Sequence, residues 1–300
     1  MLRKIIFFAT VLLFTAVPLL FADAEIPTVL SPPEELGVSI REVQVAQGRK
    51  LVALTFDLCE APRETAGFDR ELVSFLADNR VKATFFAGGK WMRSHPEETM
   101  ELMLQPLFEI GNHSWGHANF RNINMEEARN QVLLTQQQYR SIRDTLASRL
   151  GSEGPSGAIA AVPEYPRLFR FPYGACTSES LSLLASLNMP AIQWSVVSGD
   201  PAPDRTSRMI VQIVMAQVKP GAIMIFHANG KGHGTLGAMR EIIPKLRSQG
   251  YEFTTVSELL ATGTPVSAPQ CYEIRPGDTL KYDRPIHAKK SSKPAREDRK

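Results

Sequence analysis

The sequence predicts an α/β fold with parallel strands, a (β/α)7-type barrel, and three observations carry that reading. Between residues 50 and 260, apolar runs of strand length alternate about seven times with segments of helical periodicity. The runs are nearly continuous rather than alternating, as strands buried on both faces require. No break in composition interrupts the series, so one domain over residues 50–262 accounts for it better than two. At 300 residues, 43% hydrophobic and 22% charged, the chain can bury such a core and is not broadly disordered.

Ahead of the series, Met1-Leu2-Arg3-Lys4 precedes an apolar run to Phe21 and then Ala22-Asp23-Ala24. Cations, a hydrophobic stretch and a small-x-small end are the parts of a secretory signal peptide over residues 1–24, with an uncleaved anchor as the alternative. Either way the body is expected outside the cytoplasm, in the periplasm or secreted. No later segment reads as a membrane span, so none is expected to remain after signal cleavage. Residues 25–49 read as an N-terminal strap, proline-bearing at first, with period-two alternation over 38–45 that favours a strand.

Residues 50–56 then give the first buried strand, ending at Asp57, and residues 68–79 a helix with Phe68, Leu72, Phe75 and Leu76 on one face. A strand over 82–87 is followed by a helix over 96–104 with Pro96 in its first turn, and a short strand over 108–111. Asn124 caps a long helical pattern to residue 150, and residues 151–166 form a Gly/Pro/Ala loop. Strands over 167–171, 191–197, 222–226 and 253–255 alternate with helices over 178–187, 206–218, 236–249 and 256–260. Residues 263–300 read as a basic, flexible tail.

The net charge of +3 is uneven, because residues 270–300 hold nine Lys/Arg against five Asp/Glu. The remaining body is near neutral, which argues against nucleic acid as a partner.

In parallel α/β folds, chemistry gathers past the carboxyl ends of strands. Asp57, Glu60, His113, His117, Arg170, Asp200 and His227 all lie at or just past such ends. His113 and His117 are two of only six histidines, and in a helical turn an i, i+4 pair brings two imidazoles onto one ion.

Five stretches, in order, resemble the motifs of the polysaccharide deacetylase family, the NodB-like carbohydrate esterases of family 4. They are Thr55-Phe56-Asp57, His113-Ser114-Trp115-Gly116-His117, Arg170-Phe171-Pro172-Tyr173-Gly174, Trp194 through Asp200-Pro201, and Ile223-Met224-Ile225-Phe226-His227. The resemblance implies a distorted barrel and metal-assisted removal of N-acetyl or O-acetyl groups from a polysaccharide. It implies that His113 and His117 bind a divalent metal, with zinc expected, and that Asp57 is the general base. His227 becomes the general acid, Arg170 keeps Asp57 ionised, Asp200 orients His227, and the Tyr173 backbone N–H helps bind the oxyanion.

The chain departs from the family pattern at position 58, where leucine replaces the usual metal-binding aspartate. Leucine has no donor atom, so Glu60 is expected as third ligand on its oxygen chemistry and proximity, with Cys59, Asp57 or water as the other candidates. A degraded metal site, leaving a glycan-binding protein, is the rival reading; a hydrolase of non-sugar C–N bonds is another. Export permits a disulfide among Cys59, Cys176 and Cys271. If Arg170 reaches Asp57, a Cys59–Cys176 bond is the expected pairing, against a Cys59 metal ligand or a bond to Cys271.

The loop Ala228–Thr235 is glycine-rich without nucleotide-binding spacing, and is expected to let backbone approach a sugar. His233 within it reads as a surface residue, and Trp194 as core. Residues 271–280 resemble the opening of a LysM peptidoglycan-binding module, but too little chain follows to complete one.

Overall fold

The apolar runs become strands in the computed structural model, which describes residues 36–151 and 158–283. The expected signal peptide, the strap up to residue 35 and residues 284–300 lie outside the described residues. Ser39–Val45 forms β1 and Leu51–Leu58 forms β2, all eight residues of which are buried. Ala83–Ala87 (β3), Phe108–Asn112 (β4), Ala191–Ile192 (β5), Val196–Val197 (β6), Ile223–His227 (β7), Glu252–Phe253 (β8) and Gly263–Ala268 (β9) complete the set.

Six strands join in one sheet, ordered β4-β3-β2-β7-β6 with β8 also paired to β2, and its pairings are all parallel. The remaining three form a second sheet ordered β5-β1-β9. Two kinds of single bridge tie the sheets together. Phe169 bridges Asn112 at the end of β4 and Ala191 in β5, and Glu42 of β1 bridges Ala222 just before β7. The parallel α/β architecture is therefore as expected, with the two sheets meeting through isolated bridges in place of continuous ladders.

At the centre, Phe56 of β2 lies between Phe85 of β3 and Phe226 of β7, with ring centroids 5.4 and 5.6 Å away. All three rings are fully buried, so truncating Phe56 would cost about 3–5 kcal/mol. Helices cover the sheet. Arg70–Asp78 (α1) turns Leu72, Val73 and Leu76 inward. Met125–Leu150 (α4) is 26 residues long and buries Ala128, Val132, Thr135, Tyr139, Ile142 and Leu146, a spacing of three and four that traces one face. Asn124 caps it as expected, its side chain accepting from the Glu127 N–H at 2.9 Å. Pro96–Leu104 (α3), Ser178–Ser186 (α5), Ser207–Gln217 (α6), Thr235–Ser248 (α7) and Val256–Leu260 (α8) match the expected helices within a few residues. A short helix, Gly89–Ser94 (α2), follows β3 where no element was expected.

Three expectations are corrected. The strand expected over 191–197 is split because the chain changes partners: the Gln193 N–H donates to Ile40 of β1, and the Ser195 N–H to Ile223 of β7. The strand expected over 167–171 is reduced to the Phe169 bridge, then ends in a 3-10 turn over Pro172–Gly174 where proline has no N–H to donate. The segment expected to open a flexible tail is structured: β9 pairs antiparallel with β1 from Ser39–Ala268 to Val45–Gly263. A second 3-10 turn follows at Asp278–Tyr282.

Candidate active site

The parallel register sets the site. Asp57 of β2 pairs with Phe86 of β3 on one side and His227 of β7 on the other, so the base and acid candidates leave adjacent strands at one level. His113 follows β4, and its N–H donates to the Ala87 carbonyl. Strand ends thus deliver three of the candidates without any long side-chain reach.

The histidine pair does not sit on a helical turn. Residues 113–119 form a loop in which Ser114 (φ 63°) and His117 (φ 56°) take the left-handed conformation. That conformation is costly for non-glycine residues and is held here by its surroundings. The Ser114 N–H donates to the Asn112 side chain at 2.9 Å, and the Gly116 N–H to Gln131 of α4 at 2.9 Å. The two imidazoles still meet, with centroids 5.0 Å apart, and Tyr173 (φ 60°) packs edge-on against His117 at 4.4 Å.

His113 shares a hydrogen bond of 2.9 Å between Nδ1 and the Arg170 carbonyl. A carbonyl can only accept, so Nδ1 carries the proton and Nε2 presents a lone pair. That Nε2 is buried without a hydrogen-bond partner, 3.4 Å from Asp57 Oδ2. Burial lowers the basicity of both imidazoles; Asp57 opposes this at His113, while the neighbouring His113 deepens it at His117. A buried ring nitrogen without a hydrogen-bond partner, such as His113 Nε2, is suited to a cation.

The third donor group is the Cys59 thiol. Ligand atoms of Cys59, His113 and His117 all lie within 4.8 Å of one another. Glu60, expected in that role, is turned away: its two carboxylate oxygens accept from the Ala66 N–H and the Ser94 hydroxyl, each at 3.0 Å. Leu58 is fully buried in the core. The disulfide is also corrected, joining Cys176 to Cys271 with Cα atoms 5.5 Å apart and leaving Cys59 free and buried. β9 delivers Cys271 to Cys176, whereas Cys59 faces the histidines. Burial and the Asp57 charge push the Cys59 thiol up to about 12.

Two carboxylates beside this cluster have contrasting partners. Asp57 Oδ1 accepts from Arg170 at 2.9 Å, and the same guanidinium donates to Thr55 Oγ1 at 2.8 Å and to the Gln193 carbonyl at 3.2 Å. Burial alone would raise the Asp57 carboxyl, but the neighbouring His113, Arg170 and His227 and the Arg170 hydrogen bond outweigh it and hold the group below its ordinary range. Asp200 accepts from His227 Nδ1 at 2.9 Å, the His227 N–H at 2.8 Å, Thr235 Oγ1 at 2.7 Å and Ser198 Oγ at 3.0 Å. Burial pulls the His227 imidazole down, but the Asp200 charge and hydrogen bond prevail and hold it above its ordinary value.

The glycine-rich loop packs against this second pair, and its Lys231 lines the cavity described below. A Cβ at Gly232 would stand 2.5 Å from the His227 carbonyl and 3.1 Å from Asp200 Oδ2. The His233 N–H donates to the Asp200 carbonyl at 2.8 Å, while its residue is exposed.

These groups open on a cavity of about 260 Å³ lined by Asp57, Cys59, His117, His227, Glu273 and Tyr282, among others. Trp194, expected as core, is 5% exposed, yet it also lines this cavity. Glu273 and Tyr282 carry no sequence signal for such a place, since long-range contacts, the β1–β9 pairing and the Cys176–Cys271 bond among them, bring their segment back. A larger hollow of about 710 Å³ beside α4 holds none of these groups, and chemistry places the site in the smaller one.

A sequence model of the polysaccharide deacetylase family matches residues 44–161. The peptidoglycan-N-acetylglucosamine deacetylase PgdA of Listeria monocytogenes is 30% identical over 223 residues, which are 74% of this chain and 41% of that protein.

The chain belongs to the polysaccharide deacetylase family.

It spans about two fifths of the length of PgdA. Among solved structures, the Bc1960 peptidoglycan N-acetylglucosamine deacetylase shares the fold, with a TM-score of 0.63 and 24% identity over 77% of this chain and 96% of that one. BA3943 of Bacillus anthracis, described as a family 4 pseudoenzyme, is 25% identical with a TM-score of 0.59, over 75% of this chain and 69% of that one. A family scaffold thus also occurs without the activity, which gives the leucine at position 58 its weight here.

Proposed function

We propose that this polysaccharide deacetylase is an exported, metal-dependent hydrolase that removes acetyl groups from a glycan of the peptidoglycan or chitin type. The observation that carries the reading is the convergence of the Arg170-paired Asp57, the Asp200-paired His227 and the Cys59–His113–His117 donor group around one cavity. The residues fit a divalent ion: a buried imidazole nitrogen without a partner and a thiol at its side suit zinc. His113, His117 and Cys59 would hold it. When bound, such an ion supplies Lewis acidity, drawing electron density from water and from the acetyl carbonyl.

The chain's own groups divide the remaining work. Asp57 takes the proton of the attacking water as the oxygen adds to the carbonyl carbon. Arg170 keeps that carboxylate ionised and in position. His227 gives its proton to the sugar nitrogen, or oxygen, as the bond to the acetyl carbon breaks, releasing acetate and a free amine or hydroxyl. Asp200 fixes the tautomer and charge of His227. The Tyr173 backbone N–H serves as a donor to the oxyanion.

Export is supported by the N-terminal pattern and by a disulfide, which belongs to oxidising compartments. Purified protein supplied with zinc or cobalt should release acetate from at least one of acetylated chitooligosaccharides, xylan and peptidoglycan; no release from any of them ends this reading. Leu58 favours one rival, a glycan-binding protein without catalysis. That rival requires protein purified without metal and an Asp57→Ala variant with unchanged glycan affinity.

A further inference from the structure

Residues 271–283 are folded back onto the active-site cavity and fixed there from several directions. Cys271 is joined to Cys176, two residues past the Pro172–Gly174 turn that carries Tyr173. Arg41 of β1 donates to the Tyr272 carbonyl at 2.7 Å and the Glu273 carbonyl at 2.9 Å, with its guanidinium 3.7 Å from the Tyr272 ring centroid. Trp194 donates its indole N–H to the Glu273 carbonyl at 3.1 Å. At the far end, Arg121 pairs with Asp283 at 2.8 Å and donates to the Thr279 carbonyl at 2.7 Å, and Asn119 donates to the Tyr282 carbonyl at 3.1 Å. Asp278 gathers the N–H groups of Glu273, Ile274 and Arg275 at 2.7–2.9 Å, so the segment has a shape of its own.

Every anchor but Arg41 belongs to a loop that also presents a site residue: Asn119 and Arg121 follow His117, Cys176 follows Tyr173, and Trp194 opens the stretch leading to Asp200. Tyr282 lies 5.2 Å from Tyr173, centroid to centroid, and both line the cavity. At about 260 Å³ that cavity is smaller than the roughly 300–1,000 Å³ of pockets for drug-sized ligands.

We infer that residues 271–283 form a specificity wall that limits the cavity to one acetylated sugar unit, so that the enzyme works at chain ends and on short oligosaccharides, with Tyr282 as the face that carries the sugar ring. The inference rests on the glycan reading above. Tyr282 is a binding residue in this scheme, and Arg121, which does not line the cavity, is a positioning residue that holds it. An aromatic face suits a sugar because it is flat, apolar and costs little conformational entropy to order.

The test uses the full chain, Tyr282→Ala and Arg121→Gln, with acetylated chitooligosaccharides of increasing length and chitin polymer. Acetate release gives kcat and KM, mass spectrometry locates the freed amine along the chain, and tryptophan fluorescence of metal-free protein reads sugar binding without chemistry. The wild type is expected to act on the terminal unit. Tyr282→Ala should raise KM by roughly two- to tenfold with kcat little changed, the size of an aromatic contact. Arg121→Gln should add products freed at internal units. Wild-type deacetylation of internal and terminal units alike, or an unchanged KM and binding curve in Tyr282→Ala, overturns the wall. A fall in Tm with unaltered KM and product pattern also overturns it, leaving a purely structural segment. Sugar binding weakened in Tyr282→Ala, with no acetate released by any form, sustains the wall and removes the deacetylase reading instead.

Discussion

Asp57 and Asp200 are the same residue type, both buried at the same end of one sheet, in or just past the strands that flank β7, yet they are built for opposite tasks. Asp57 faces an arginine, which cannot give up its proton, so the aspartate itself is the group free to take one. Asp200 faces a histidine, which can, and spends its own lone pairs on four donors. A carboxylate's role in this site is therefore set by what its partner can do with a proton.

The hardest test of that contrast is Asp57→Asn, which keeps the shape and removes the base. Acetate release should fall by about 10²–10⁴-fold at every pH, the usual weight of a positioned acid or base. A tenfold loss or less would mean that another group takes the proton. Next, Arg170→Met leaves Asp57 buried with its arginine gone, and urea unfolding should show a loss of about 3–5 kcal/mol. If stability instead rises, Arg170 is held for function alone.

Cys59→Ser asks whether Asp57 stays free of the ion. With the thiol as donor, the cobalt-loaded protein should show a sulfur-to-cobalt charge-transfer band that the variant lacks, and metal affinity should drop at least roughly tenfold. A wild type without that band would put a different donor in the third place, and Asp57 would lose its separate role.

Asp200→Asn tests the other pair through pH. Asp57 must be ionised and His227 protonated, so kcat/KM should be bell-shaped, and its alkaline limb should move to lower pH in the variant as His227 returns toward its ordinary value. Stability follows the same signs. The raised His227 adds stability that is whole below its ordinary value and lost as pH rises through the raised one. The lowered Asp57 adds stability above the ordinary carboxylate range, lost as pH falls through its depressed value. Smallest of all, Glu60→Gln alters a carboxylate in neither pair; metal content should not change, and stability should fall by about 1–2 kcal/mol. A fall in metal content would restore Glu60 as a ligand.

Much of this site could be read from the chain because local patterns fix it. A run such as Leu51–Leu58 must be buried on both faces, and its register with Ile223–His227 then sets Asp57 beside His227. Arg170 could be matched to Asp57 because five ordered stretches resemble the motifs of the family, which implies that pairing. Features decided by distant partners were not legible. Whether Cys176 joins Cys59 or Cys271 depends on β9 returning to β1, which no stretch near either cysteine encodes. Glu60 looked like a ligand by chemistry and proximity, but the Ala66 N–H and Ser94 hydroxyl, not sequence distance, decide where its oxygens point. The histidines met as expected by an unexpected route, since left-handed Ser114 and His117 have no sequence mark comparable to glycine.

The pairing of β1 with β9 has a consequence for biogenesis. A chain that emerges N-terminus first can fold the six-stranded sheet up to β8, residue 253, while β1 still shows a bare edge that only residues 263–268 can cover. The Cys176–Cys271 bond and the anchoring of Tyr282 come later still. The molecule thus closes its candidate catalytic cavity with residues made after the six-stranded sheet, so a nascent form that stops short of them would have its acid and base candidates in place while the cavity beside them stood open.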